Sequence, residues 1–201
     1  MVVSFRWLAL TALLLAPVAS ATTLLAEDVA SLTRSSSAVV RGTVVESKAR
    51  WTADKARIVT ETTVTVSERW KGDAAATVVI QQPGGEVGEV GQLVHGVARF
   101  RPGEEIVVFL EARGPRFLVT GMLQGKFLVE KSSDGKATFA RQELQGEALF
   151  LDPATRQPVH PVPTVVPLDE LRAQVLQHVA AQAPANAPTA PAPKTPVKAT
   201  P

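Results

Sequence analysis

Apolar positions along the chain follow two different periods. Between residues 24 and 35, Leu25, Val29 and Leu32 recur at i, i+4 and i+7, which sets them on one face of a helix. Glu27 and Asp28 near its start and Arg34 near its end suit the helix dipole. From Ala38 onward the period drops to two. Residues 38–48 are rich in strand-favouring Val and Thr, and Gly42 among them predicts a bulge or a bend. In residues 57–70, Thr60, Thr62, Val64 and Val66 alternate with Val59, Glu61, Thr63, Thr65 and Ser67. That pattern predicts a long strand with one buried and one wet face. A turn at Lys71-Gly72-Asp73 leads into a third strand over residues 77–82.

In residues 105–111, Ile106, Val108 and Leu110 oppose Val107 and Phe109, so both faces of that strand are expected to be buried. Strands are also predicted over residues 116–120, 125–131 and 136–142, the last two joined by an Asp134-Gly135 hairpin turn. Five prolines in residues 152–167 predict a loop. A second helix is expected to start at Asp169 as its cap, with Leu168 as anchor and Leu171, Val175, Leu176 and Val179 as its apolar stripe. The order is helix, five or more strands, then helix, with no βαβ rhythm. It predicts a mainly β fold: a small closed antiparallel barrel, OB-like, flanked by an N-terminal and a C-terminal α-helix. A β-sandwich is the alternative.

The two ends read differently from this core. Residues 1–21 have a basic start at Arg6, an apolar run and an Ala19-Ser20-Ala21 close, the pattern of a cleaved secretory signal. Residues 182–201 are Ala/Pro-rich, with six prolines, and are expected to be a disordered tail. Residues 22–181 are expected to form a single domain. The run in the signal is too short to span a bilayer comfortably, so no transmembrane anchor is expected and the protein is expected to be exported, periplasmic or extracellular.

Charge then changes meaning. Of the 21 basic residues, Arg6, Lys194 and Lys198 lie in the ends, which leaves 18 against 19 acidic residues in the core. A near-neutral core without a concentrated basic face argues against nucleic-acid binding. The chain has no cysteine, which excludes thiolate nucleophiles, Cys-ligated zinc and iron–sulfur clusters.

Candidate chemistry is sparse. His95, His160 and His178 lack metal-ligand spacing, and no cofactor or metal is expected. No nucleophile elbow is present, and Glu61, Glu104, Glu105 and Glu111 carry no catalytic spacing, so the chain is not expected to be an enzyme. The stretch from Pro83 to Gly91 holds Gly84, Gly85, Gly88 and Gly91 but no following Lys-Ser/Thr, and Glu86 and Glu89 would repel phosphate. It reads instead as a mobile, acidic-edged rim loop suited to binding a partner. Arg99 and Arg101 flank Phe100, and alternation sets both arginines on one face and the ring on the other. The candidate binding residues are therefore Gly84, Gly85, Glu86, Gly88, Arg99 and Arg101.

Three segments carry a resemblance: Ala38-Val39-Val40-Arg41-Gly42-Thr43-Val44, then Glu68-Arg69-Trp70-Lys71-Gly72, then Pro102-Gly103-Glu104-Glu105-Ile106-Val107-Val108-Phe109-Leu110. In this order they resemble a group of uncharacterised exported bacterial proteins. More distantly they resemble the OB-type domain of tissue inhibitors of metalloproteinases and netrin-like modules. The resemblance implies an OB-type barrel. It transfers no inhibitory residue, because those inhibitors use an N-terminal cysteine and this chain has none. The expected function is that of a non-catalytic exported binding module using barrel-rim loops. Its expected partner is an exported protein, with proteases as one class, or a cell-envelope component. The alternative is an envelope scaffold with the tail as spacer.

Overall fold

The computed structural model describes residues 22–144 and 148–182. The signal-like segment of residues 1–21 and the Pro-rich residues 183–201 lie outside the described residues.

The chain runs β1 (Thr22–Leu25), α1 (Val29–Ser35), β2 (Ala38–Trp51), β3 (Ile58–Lys71), β4 (Thr77–Pro83), β5 (Gly85–Val87), β6 (Val90–Gln92), β7 (Glu105–Arg113) and β8 (Arg116–Val119). A 3-10 turn (Met122–Gly125) leads to β9 (Lys126–Lys131), β10 (Thr138–Gln142), β11 (Ala148–Leu151), β12 (Pro158–Val159), β13 (Val165–Pro167) and α2 (Leu168–Gln182). The fold is mainly β. Eight strands form one sheet in the order β13-β10-β9-β7-β2-β3-β4-β8. Strand β8 also pairs with β7, so β7, β2, β3, β4 and β8 make a ring of five. Its seams are antiparallel except for the β4–β8 contact, which is parallel and made through Ile80 and Phe117.

Strand β7 shows why the ring and the helices share one body. Ile106, Val108 and Leu110 point into the ring with Val40, Val64 and Ile80. Val107 and Phe109 point the other way, onto Leu32 of α1 and Leu171 and Val175 of α2. Residues 106–110 are each fully buried, as the two-faced apolar pattern requires. The Phe109 and Phe127 rings meet at 5.7 Å in the outer layer. Strand β3 keeps its period: Thr62 and Val64 are buried, and Thr65 and Ser67 are exposed.

The structure corrects the reading in several places. The first helix begins at Val29, with Asp28 as its N-cap accepting from the Ser31 amide at 2.7 Å. Leu24 and Leu25 belong instead to β1, which pairs in parallel with β11. The glycine-rich stretch forms a two-stranded hairpin, β5–β6, where a loop was expected. Strands β12 and β13 lie within the proline-rich segment. The second helix starts one residue earlier than expected, so Asp169 sits in its first turn, and it includes Gln182, assigned above to the tail.

Candidate binding groove

Strands β2, β3 and β4 run on past the ring and present Ser47, Ala49, Thr60 and Gln82 on one face. The β5–β6 hairpin folds back over this face. Gly84 ties it down twice: its amide donates to the Ile58 carbonyl at 2.8 Å, and its carbonyl accepts from Thr60 Oγ1 at 2.8 Å. Gly85 has φ +128°, and a Cβ there would fall 2.5 Å from Thr60 Oγ1 and 2.7 Å from Ala49 Cβ. Glycine is therefore required for the hairpin to lie this close to the sheet. Gln92 anchors the returning strand, accepting from the Ile58 amide at 2.8 Å.

Residues 93–101 then cross beside the hairpin. The Gly96 carbonyl accepts from the Leu123 amide at 2.9 Å. Ala98 and Phe100 turn into the ring core, whereas Arg99 and Arg101 are exposed. Between the hairpin, the sheet face and this crossing segment lies an open groove of about 1010 Å³. Gly84, Gly85, Glu86, Arg99 and Arg101 line it together, with His95, Gly91 and Leu93. Gly88 sits at the turn of the hairpin and does not line the groove. Leu93 is 71% exposed at the rim.

The crossing segment is held from beneath by a residue that sequence reasoning missed. Lys126, at the start of β9, is 1% exposed. Its ammonium donates to the Arg99 carbonyl at 2.5 Å, to Glu104 Oε2 at 2.8 Å and to Glu143 Oε2 at 2.8 Å, and it lies 5.2 Å from the Phe100 ring centroid. Burial alone would raise the Glu104 pKa. Hydrogen bonds from Lys126 and from the Arg101 amide outweigh that and hold it below the ordinary carboxylate value. A smaller cavity of about 220 Å³ lies between Lys126, Glu143, Leu123 and the Arg99–Arg101 stretch. Lys126 carries no sequence signal beyond its place in an apolar strand.

The other candidate acids are engaged in ion pairs. Glu61 is shared by Arg50 at 2.6 Å and Arg116 at 2.5 Å, Glu105 pairs with Arg41 at 2.6 Å, and Glu111 with Arg113 at 2.7 Å. His95 is half-buried in the groove lining, His160 is exposed, and His178 is half-buried on α2. Among the described residues no cluster of three His, Asp or Glu side chains is placed to hold a metal, and no helix is long and apolar enough to cross a membrane. The chain matches no family model and no curated protein sequence.

Proposed function

We propose that the protein is a non-catalytic, exported binding module that takes a protein partner in the groove between the β5–β6 hairpin and residues 93–101. The groove itself carries this reading: it is large, open, and walled by groups of opposite charge, Glu86 on one side and Arg99 and Arg101 on the other. Its walls are anchored from within, by Gly84 and Gln92 on one side and Lys126 on the other, so the surface is pre-formed. Pre-formed sites lose less freedom when they bind. Engagement of Glu61, Glu104, Glu105 and Glu111 in ion pairs supports a binding role over a hydrolytic one. We read the ring of five strands as a closed OB-type barrel of the netrin-like kind, with the groove on its extended strand face. Export rests on the signal-like residues 1–21.

The test is affinity capture on the immobilised full chain from the exported proteins of the source cells, proteases included. A specific partner is expected, and the double variant Arg99→Glu/Arg101→Glu is expected to lose it. Capture that survives this double variant, or no specific capture at all, would overturn the reading.

A further inference from the structure

The crossing segment has an unusual backbone. Residues 97–101 alternate half-buried, buried, exposed, buried, exposed, the period of an extended strand. Yet residues 97–100 belong to no sheet. Lys126 takes the Arg99 carbonyl, and Arg101 is bonded at both ends, its amide to Glu104 Oε2 at 3.1 Å and its carbonyl by the Glu104 amide at 3.1 Å, whereas among the described residues the backbone groups of Ala98 and Phe100 have no hydrogen-bond partner. In an extended chain the backbone groups of successive residues point to opposite edges, so those of every second residue share one edge. Lys126 therefore occupies the Arg99 edge, and the amides and carbonyls of Ala98 and Phe100 point to the other. Both of these residues line the groove with side chains turned into the core, so their backbone is what the groove meets. Unpaired backbone of this kind is a template for an added strand.

Resting on the groove reading above, we infer that the ligand is an extended polypeptide segment that adds as a strand along residues 97–101 and carries acidic side chains at alternate positions. Backbone pairing to Ala98 and Phe100 fixes its register. Side chains two apart on an added strand share a face, and so do Arg99 and Arg101. Carboxylates at that spacing meet both guanidiniums, a charge-assisted and geometrically specific contact. Glu86, on the opposite wall, disfavours a uniformly anionic chain such as a nucleic acid. Leu93, at 71% exposure, offers apolar contact at the rim.

The probe is a fluorescent decapeptide of alternating Glu and Thr, titrated against the full chain by anisotropy. Its controls are a Lys/Thr counterpart and two versions of the Glu/Thr peptide, N-methylated on the amides of one alternate set or of the other. The Glu/Thr peptide is expected to bind roughly tenfold more tightly than the Lys/Thr peptide. Arg99→Glu/Arg101→Glu is expected to reverse that preference. One N-methylated version is expected to lose binding and the other to keep it, because only one edge of an added strand is paired. Equal binding of both N-methylated versions would overturn strand addition while leaving the groove reading in place. Equal affinity for the acidic and basic peptides, or no binding by either, would overturn the acidic partner. The groove reading would then be decided by its own capture experiment.

Discussion

The ammonium of Lys126 lies 2.8 Å from Glu104 Oε2, and the lysine side chain is 1% exposed where the glutamate is 11% exposed. A second carboxylate, Glu143, closes the cluster at 2.8 Å. Burying a charge is tolerable only when it is paired and hydrogen-bonded, and removing one member leaves the others uncompensated. Lys126→Met is therefore expected to destabilise the fold by about 3 kcal/mol, measured by urea unfolding. Adding Glu104→Gln to that variant is expected to recover part of the loss, because one stranded charge is removed. Additive losses in the double variant would mean that the two groups are not coupled.

Acid sensitivity has a defined direction. Glu104 is held below its ordinary value of 4.5, as set out above. Glu68 is held down chiefly by the Trp70 indole N–H, then by Arg41, and Glu130 by Arg141. A carboxylate with a lowered native pKa contributes stability that is present above its unfolded value and lost as pH falls through its native value. Glu27 acts in the opposite sense: burial, then Asp28, raises it, so its contribution is present below the ordinary value and lost as pH rises. The lowered group is the larger. The urea midpoint is expected to fall as pH drops below about 4.5, and Glu104→Gln is expected to flatten that fall. A midpoint with the same acid slope in the variant would remove Glu104 from the cause.

Gln124 sutures the N-terminal strand to the sheet. It is 2% exposed, accepts from the Glu27 amide at 2.9 Å and donates to the Leu25 carbonyl at 2.9 Å, while its own carbonyl accepts from Gln142 Nε2 at 2.7 Å. Gln124→Leu would leave two backbone groups without partners, and a loss of about 2 kcal/mol is expected. Hydrogen exchange should show the loosening first in β1 and its partner β11. Uniform loosening across the sheet would contradict this local role.

Gly42 sits at a register shift between β2 and β3. A Cβ there would fall 2.3 Å from the Thr65 carbonyl oxygen and 2.8 Å from Val64 Cγ1. Gly42→Ala is expected to cost about 2 kcal/mol through overpacking. At Gly91 the nearest atom is Glu86 Cγ at 3.5 Å, so Gly91→Ala serves as a near-neutral control. Thermal unfolding of the two variants side by side checks the contrast.

Local periodicity carried most of the eight-stranded sheet. The alternation of β3, the two-faced run of β7 and the Asp134-Gly135 turn were readable because each depends on neighbours in sequence. Strand β1 was not. Leu25 falls in step with Val29 and Leu32, and what makes it a strand is pairing with residues 148–151, far along the chain. Prolines hid β12 and β13, yet both are edge strands, where a missing amide is tolerated. Of the site, the facing of Arg99, Phe100 and Arg101 was legible from alternation. The groove was not, because its floor comes from β2, β3 and β4 and its walls from two later segments. Lys126 was hidden because a lysine by itself reads as surface, and only the fold brings Glu104 and Glu143 to it.

The most direct test of the groove as the binding surface is hydrogen–deuterium exchange on the full chain with and without its captured partner. Protection is expected over residues 84–101, strongest at the amides of Ala98 and Phe100, with the helix face of α2 unchanged. Protection confined to α2 or to the β7–β8 turn, with residues 84–101 exchanging as before, would contradict it.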